Sequence, residues 1–390
     1  MSLDSSRVTR GSLSIFVSHP SYHLTDCDPH GDGLAAFEFI TRLAHRGHRL
    51  HVCVQGTNIR GPLPPSVTFH DIKKQTPADS LRHVEYALRV RNVYRRVARD
   101  SKVDVIHQLN PVRPGLSALL SRDDVPLVLG LYVPSWPSQP TKQPSSLLER
   151  GAGAIMKAAD RIQQRRADAL LLSTEAARSR LHSPRSFRAR TKIIPYGIDV
   201  GRFTEDSKSQ TGEVILFLAR LHEEKGIFTL LDALPEVLRQ EPSSVIHIAG
   251  SGPAEREVKK KVASMPYSDR IKLLGHIERD DVPDRIRECD IFCMPSHGEP
   301  FGLSALEAMA TGKPVVATKA GGLQHLVPDE GGHQVPPRNT EALSEALLDL
   351  LGSEEKRERM GAYNRKIAEE VYDWDRVIDR VEDIYYSILD

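Results

Sequence analysis

The feature that most constrains the fold of this chain is the alternation of short apolar runs with longer stretches of helical periodicity. In residues 34–46, apolar side chains recur three and four positions apart and Gly47 follows, as it does after many helices. Strands that alternate with helices in this way indicate a parallel sheet covered on both faces. In the first half the predicted strands are 13–19, 49–54, 67–72, 103–109, 126–132 and 167–173.

The same alternation restarts in the second half, after a predicted strand and linker over residues 191–203. Its predicted strands are 213–219, 244–250, 271–277, 290–296 and 313–319, with a helix over 226–238 between the first two. We therefore predict an α/β protein with two Rossmann-like, doubly wound domains, residues 1–193 and 194–374. In such sheets ligands bind beyond the carboxyl ends of the strands, which places a cleft between the domains.

The charge of the chain is balanced overall but divided between its halves. The sequence has 390 residues with 53 Lys and Arg against 52 Asp and Glu, yet residues 1–192 hold 29 basic and 16 acidic residues, a net charge of +13. A basic half favours an acidic ligand or an anionic membrane surface. The alternative is a basic domain that faces an acidic one across the cleft.

Composition excludes several classes of protein. The longest nearly apolar stretch, 125–133, is far shorter than the roughly 20 residues of a membrane-spanning helix. The polar start of the chain does not resemble a secretory signal, so we expect a cytoplasmic protein. Four cysteines in so long a chain are no disulfide framework. The Pro- and Ser-rich segment 133–150 predicts a loop that overhangs the cleft, either an acceptor lid or a plain surface loop.

The most specific motif lies in residues 296–318, where a strand is followed by a Gly-containing loop and a helix. The free amides of Phe301, Gly302 and Leu303 at the helix start would form an anion site. Glu299 and Glu307 are eight residues apart, about 12 Å along a helix, which is too far for a hydrolase pair at roughly 5–9.5 Å. The two carboxylates would suit two ends of one extended ligand, and a capping Glu with a solvated Glu is the alternative.

Two cations follow the first strand of the second half. Arg220 falls at the strand end and Lys225 at the next helix start, a place that disfavours a cation unless an anion is bound there. A diphosphate would match both, because Arg forks fit phosphate oxygens and Lys adds a point charge. A surface ion pair with Glu223 or Glu224 is the alternative.

Gly-rich turns follow the first strand of the first half, with Gly31 and Gly33, and the second strand of the second half, with Gly250 and Gly252. Both can hold phosphate, but neither half has a GxGxxG motif or a Walker lysine. Asp26 and Asp28 lack supporting ligands, so we predict no metal site.

His107 ends a predicted strand. It is expected to face the cleft, as a functional residue or as an ordinary core or loop histidine.

Taken together, these motifs resemble those of glycosyltransferase family 4, retaining enzymes with the GT-B fold. The resemblance rests on Arg220-x4-Lys225-Gly226, on Gly250-Ser251-Gly252-Pro253 and on EPFGLSALE with its E-x7-E spacing. It implies a transferase that moves a sugar from a nucleoside-diphosphate sugar, UDP or GDP, to an acceptor without a cofactor or metal. It also implies that the first domain takes the acceptor, that the second binds the nucleotide-sugar donor, and that the last helix, 375–390, packs back on the first domain.

The resemblance assigns roles to individual residues. Arg220 and Lys225 would bind the diphosphate and stabilise its charge as it leaves, and Glu307 would hold the ribose. The donor sugar and phosphate would contact Glu299 and the amides of Phe301, Gly302 and Leu303, with Gly33 approaching from the first domain. The nucleobase would lie near Gly275, His276 and Ile277, beside the turn of Gly250 and Gly252.

This chain departs from the family pattern at several positions. Members with a catalytic histidine often have H-x-H, but Leu109 and Asn110 follow Gln108 here, so Asn110 is a candidate for the sugar contact in place of His107. Ala219 replaces the usual Gly before Arg220. Gln324 and His325 follow the Gly321-Gly322-Leu323 turn, where a Glu is common, which predicts unusual selection of the donor sugar.

Two other functions remain open at this point. One is a different enzyme on the same fold, such as a sugar-nucleotide epimerase, and the other is a protein that binds nucleic acid or an anionic surface. Nucleic-acid binding is not favoured, because the Arg-rich runs carry few aromatic residues. The basic helix predicted over 81–99 is instead a candidate for contact with anionic lipid or a phosphorylated acceptor, with a solvated helix face as the alternative.

Overall fold

The computed structural model describes residues 11–19, 24–28, 31–72, 82–111, 125–133, 147–205 and 214–390. Within these ranges the chain forms two lobes, each built around one parallel sheet. Every strand pairing in both sheets is parallel.

The first lobe has a seven-stranded sheet with the order β5-β3-β1-β6-β7-β8-β9 and a small separate pair, β2 with β4. Its elements are β1 (Ser14–Ser18), β2 (Leu24–Thr25), α1 (Gly31–His45), β3 (Arg49–Val54), β4 (Thr57–Asn58), β5 (Val67–Asp71), α2 (Arg82–Asp100), β6 (Val105–Gln108), β7 (Leu127–Tyr132), α3 (Leu147–Arg166), β8 (Ala169–Leu172) and β9 (Thr191–Ile193).

The second lobe has a six-stranded sheet with the order β12-β11-β10-β13-β14-β15. Its elements, with the last helix, are β10 (Val214–Leu218), α4 (Ile227–Gln240), β11 (Val245–Ala249), α5 (Glu255–Ala263), β12 (Ile271–Gly275), α6 (Val282–Arg287), β13 (Ile291–Met294), α7 (Leu303–Ala310), β14 (Val315–Thr318), α8 (Leu323–Leu326), β15 (Gly332–Val335), α9 (Thr340–Leu351), α10 (Glu354–Ile367) and α11 (Trp374–Ser387).

The central strands are buried on both faces, as continuous apolar runs require. All five residues of β1 are buried. Phe16 packs into one apolar cluster, while its neighbours Ile15 and Val17 belong to the cluster on the opposite face. Such a sheet is stable only with helices on both sides. The predicted α/β class with two doubly wound sheets is confirmed.

The chain crosses between the lobes twice, and the two crossings lie side by side. The amide of Ile198 donates to the carbonyl of Tyr372 at 2.8 Å, and the amide of Trp374 donates to the carbonyl of Ile198 at 3.1 Å. Gly197 lies directly against the Trp374 ring, where a Cβ atom would overlap the indole. The domain boundary that we place between residues 193 and 194 stays a prediction.

Helix α11 lies against α1 of the first lobe and is held there by charge. Arg46 near the end of α1 contacts Asp375, Asp379 and Glu382, and its Nη1 lies 2.6 Å from the Glu382 carboxylate. His48 contacts the other Glu382 oxygen at 2.8 Å. Three acidic residues of α11 thus surround one guanidinium, which fixes the position of the helix on the lobe.

The prediction of a loop over residues 133–150 needs correction. The segment 133–150 is predicted as one loop, but residues 147–150 form the first turn of α3, because Leu, Glu and Arg are good helix formers once the Pro-rich stretch has ended. Residues 134–146 of that loop lie outside the described residues.

Among the helices described, none is long and apolar enough to cross a membrane.

The expectation that His107 faces the cleft is wrong. Its side chain is fully buried on the face of β6 that α1 and α11 cover. Nδ1 lies 2.5 Å from the Tyr385 hydroxyl, and Nε2 lies 3.1 Å from the carbonyl oxygen of Gly130. Burial lowers the pKa of His107 to about 3. His107 is therefore a neutral core histidine that donates to Gly130 and accepts from Tyr385.

We predict that Tyr385→Phe destabilises the protein by about 1–3 kcal/mol, because it leaves the buried Nδ1 of His107 without a hydrogen-bond donor. Urea unfolding at pH 7 measures the change. Tyr386→Phe is the matched control, since its hydroxyl contacts the carbonyl of Gly11 at the surface and its loss should cost far less. Equal losses in the two variants would contradict the structural role assigned to His107.

Candidate donor site between the lobes

A cleft of about 1020 Å³ lies between the carboxyl edges of the two sheets. Its walls come from the first turns of α1, the crossing segment 196–203, and the loops that follow β10, β11, β12 and β13. This is the place where parallel α/β sheets bind ligands. The predicted residues that line the cleft are Asn110, Arg220, Lys225, Gly250, Gly252, His276, Ile277, Glu299, Phe301, Gly302, Leu303 and Glu307.

The loop after β10 presents the two predicted cations. Arg220 lies just beyond the strand, and residues 223–225 form a short 3-10 turn that ends at Gly226. Gly226 has a φ of +74°, and a Cβ atom there would overlap the carbonyl group of Pro295. The amide of His297 donates to the carbonyl of Glu224 at 2.8 Å. These backbone contacts fix the Lys225 turn against the loop after β13.

Lys225 and Glu299 form an ion pair inside the cleft. Lys225 Nζ lies 2.5 Å from Glu299 Oε2, and the two side chains are 20% and 10% exposed. A pair this sheltered from water is screened less than a surface pair. The carboxylate therefore neutralises the ammonium group at the wall of the cleft that both side chains line.

Helix α7 begins where the sequence predicts and directs its first amides into the cleft. Gly302 has a φ of +101° and precedes the first helical residue, Leu303. In the part of the chain that the structure describes, no backbone carbonyl accepts a hydrogen bond from the amides of Phe301, Gly302 or Leu303. Unpaired amides at a helix start attract an anion, and the helix dipole adds to that attraction.

The turn after β14 holds this loop in place. The amide of Gly322 donates to the carbonyl of Glu299 at 2.6 Å. A Cβ atom at Gly321 would overlap the same carbonyl, and one at Gly322 would overlap that of Pro300. Glycine is therefore required at both positions after β14, because the two backbones approach each other closely there.

Glu307 lies in the second turn of α7 and lines the same cleft as Glu299. Burial raises its pKa to about 7, and the charges of Arg279 and Arg202 oppose the rise only in part. A helix glutamate in water would keep its ordinary pKa. Glu307 is only partly exposed and borders the cleft, so its environment differs from that of a fully solvated helix residue.

The glycines near the predicted nucleobase site divide into two roles. Gly250 and Gly252 line the cleft, and Cβ atoms there would overlap the carbonyls of Ala219 and Leu221, so both hold the Arg220 loop. Gly275 is not among the cleft-lining residues, but its carbonyl accepts from the amide of Gly250 at 2.6 Å. His276 and Ile277, which follow it, reach the cleft.

The first lobe meets this site at the start of α1. Gly33 is buried inside the first turn and is not among the cleft-lining residues; Gly31 is, and a Cβ atom on it would lie 2.8 Å from Leu303 Cδ1. The starts of α1 and α7 therefore face each other. Asn110 Nδ2 donates to Asp32 Oδ2 at 2.8 Å beside them. Sequence reasoning missed Asp32, although it stands between the two singled-out glycines.

Asp26 and Asp28 have protein partners. The Asp26 carboxylate accepts from the amides of Arg60 and Gly61, and Asp28 accepts from the Asn58 side chain. In the described ranges no three His, Cys, Asp or Glu side chains group as metal ligands. The arginines of α2 whose side chains the structure describes do not line the cleft.

Comparison with protein families agrees with this architecture. Residues 31–202 match the model described as Glycosyltransferase Family 4, and residues 202–367 match the model described as Glycosyl transferases group 1.

Two characterised relatives are similar over most of the chain. An alpha-D-kanosaminyltransferase of Streptomyces kanamyceticus is 28% identical over 68% of this chain and 71% of its own length. A phosphatidyl-myo-inositol mannosyltransferase of Mycobacterium leprae is 29% identical over 79% of this chain and 80% of its own length.

Solved structures show the same fold. The Anabaena protein HepE in complex with UDP superposes with a TM-score of 0.72 at 20% identity, over 96% of this chain and all of that one. A sucrose-phosphate synthase from Thermosynechococcus elongatus gives 0.73 at 19% identity, over 96% and 98%. With two family models that together span residues 31–367, this chain belongs to glycosyltransferase family 4 and is a glycosyltransferase with the GT-B fold.

Proposed function

We propose that this protein is a retaining glycosyltransferase that moves a sugar from a nucleoside-diphosphate sugar to a hydroxyl-bearing acceptor. The observation that carries the proposal is the meeting, in one cleft, of the Lys225–Glu299 pair, the free amides of α7 and the desolvated carboxyl group of Glu307. An ammonium group beside free amides suits a diphosphate, and carboxyl groups suit the hydroxyls on either side of it.

The proposed roles follow the order of groups along such a donor. Glu307, which lines the cleft, would accept from the ribose hydroxyls. Arg220 and Lys225 would hold the diphosphate with the amides of Gly302 and Leu303. Glu299 would turn from Lys225 to the donor sugar once the diphosphate has paired with the ammonium group, and the amide of Phe301 would contact the same sugar.

In the proposed reaction the bond between the sugar carbon and the phosphate oxygen breaks, and the acceptor oxygen bonds to the same face of that carbon. The acceptor proton passes to the departing phosphate oxygen, so no protein nucleophile is needed. Negative charge grows on the diphosphate as it leaves. Arg220, Lys225 and the amides of α7 would stabilise that charge without reorganisation, and they supply charge that a metal ion would otherwise have to provide.

For the donor base we propose uracil or guanine. HepE was crystallised with UDP, and a relative from Corynebacterium glutamicum is named as GDP-mannose-dependent. His276 and Ile277 would lie beside the base. Asn110, whose side chain already holds Asp32, is the candidate for a sugar contact from the first lobe.

Lys225→Ala tests the donor site. We expect the thermal shift given by UDP- or GDP-sugars to fall, with a loss of affinity of at least about tenfold, because one charge-assisted contact to the diphosphate is removed. Lys259→Ala, an exposed lysine of α5 in the same lobe, is the control. Unchanged affinity in Lys225→Ala, or no shift with any sugar nucleotide, would refute the proposal. Formation of an isomeric sugar nucleotide without acceptor would identify an epimerase instead.

Glu307→Gln should have opposite effects on stability and on binding. Because folding raises the Glu307 pKa from 4.5 to about 7, wild-type stability is lost as pH rises between these values. We expect the variant to be more stable than wild type by about 2 kcal/mol at pH 8, with no such gain at pH 4.

The same change should weaken donor binding. The ionised carboxylate accepts from ribose hydroxyls better than its protonated form, so wild-type affinity should rise several-fold from pH 6 to pH 8, and the rise should vanish in Glu307→Gln. Titrations with a UDP- or GDP-sugar, whose own charge is constant over this range, measure it. A variant with an unaltered pH profile would remove Glu307 from the site.

For location we propose the cytoplasm, with contact to an anionic membrane through α2. Its residues Arg95, Arg96 and Arg99 are exposed. Exposed cations on an amphipathic helix favour anionic lipid. Sedimentation with anionic vesicles at low salt, compared with neutral vesicles, tests this contact.

A further inference from the structure

The first lobe is basic as a whole, but the charged residues on its cleft wall are acidic. Residues 1–192 carry a net charge of +13. Yet the charged residues that the described part of this lobe presents to the cleft are both acidic, Asp32 and Glu38. Because the charge of this wall is opposite to that of the lobe, we expect the wall to select its ligand by charge.

Both carboxylates belong to the side of α1 that forms the wall. Gly31, Leu34, Ala35 and Glu38 recur three and four residues apart and line the cleft, with Asp32 in the first turn. Six residues separate Asp32 from Glu38, about 9 Å along the helix. The small side chain of Ala35 lies between them and leaves room for a ligand that spans both.

Asp32 is held toward the donor site. Asn110 donates to its Oδ2 at 2.8 Å from a backbone with φ of +46°, an uncommon conformation for a residue other than glycine. The adjacent Gly31 faces Leu303 at the start of α7. Asp32 therefore lies next to the amides assigned to the donor, where the sugar to be transferred would lie.

Glu38 lies one and a half turns further along α1. Its carboxylate contacts Arg42 at 3.2 Å, and Arg42 also contacts Asp199 of the crossing segment at 3.2 Å. Arg42 therefore offsets one of these two acidic charges, and the group of Glu38, Arg42 and Asp199 keeps one net negative charge beside the cleft.

The resemblance to the family already implies that the first domain takes the acceptor, and we propose that this wall selects a polyhydroxyl acceptor that is neutral or carries an ammonium group, not a phosphorylated one. The inference rests on the proposed function, because the donor must occupy the opposite wall. Carboxylates accept from hydroxyl and ammonium groups but repel phosphate. A phosphorylated acceptor would also meet the negative diphosphate of the donor at close range.

The test uses three probes on the complex with UDP or GDP, whichever stabilises the protein. Glucose is the neutral probe, glucosamine at pH 6.5 is the cationic probe, and glucose 6-phosphate is the anionic probe. Calorimetric titration should give the tightest binding for glucosamine and at least about tenfold weaker binding for glucose 6-phosphate, as expected for one charged contact.

Asp32→Asn should weaken glucosamine about tenfold or more while the nucleoside diphosphate binds within about twofold of wild type. Asp32→Lys should reverse the order and favour glucose 6-phosphate, which a merely structural role of Asp32 would not do. Asp100→Asn, an exposed acid at the end of α2 outside the cleft, is the control.

The inference is overturned if glucose 6-phosphate binds as tightly as glucosamine, if glucosamine shows no saturable binding, or if Asp32→Asn leaves the glucosamine constant unchanged. The proposed function fails in a different way, by absence of nucleoside-diphosphate binding in the wild type. The two failures are therefore distinguishable in one set of titrations.

Discussion

The donor site depends on close contact between the backbones of neighbouring loops at the carboxyl edge of the second sheet. At Gly226, Gly250 and Gly321, a Cβ atom would overlap a carbonyl of the adjacent loop, and each has a positive φ. Gly252 and Gly322 make the same kind of contact. A side chain at any of them would push two loops apart. The positions of Arg220, Lys225 and Glu299 therefore follow from residues that have no side chain.

The Lys225–Glu299 pair sets the electrostatic state of the site before donor binding. A half-buried ammonium group without a partner would lose hydration without compensation, and so would the carboxylate. At 2.5 Å the two compensate each other. A diphosphate that takes over the ammonium group frees Glu299 for hydroxyls. In the proposed function one ion pair therefore serves both halves of the donor, and its exchange would link recognition of the phosphate to recognition of the sugar.

The sequence predicts the sheets well because it does so from two local signals. Apolar runs indicate the strands, and glycine-rich turns mark their carboxyl ends. His107 shows where this reasoning stops. Its place at the end of β6 is correct, but strand alternation leaves the face undetermined, and the helix that covers that face contributes Tyr385 from 278 residues away. Asp32 was missed for a related reason, since only the structure shows that the start of α1 faces α7.

Aromatic contacts connect the two crossing segments between the lobes to the candidate donor site. The Phe301 ring lies edge-on to Tyr196 at 5.1 Å and to Tyr372 at 6.4 Å, and these tyrosines belong to the first and second crossing. The second crossing includes a π-helical turn over Ala368–Tyr372, an element that is frequent at functional sites. The Phe301 ring packs against both crossings, while its amide belongs to the proposed anion site. A change in the angle between the lobes would have to alter these ring contacts, and with them the loop that carries Glu299. The same packed aromatic group thus joins both crossings to the loop that carries Glu299.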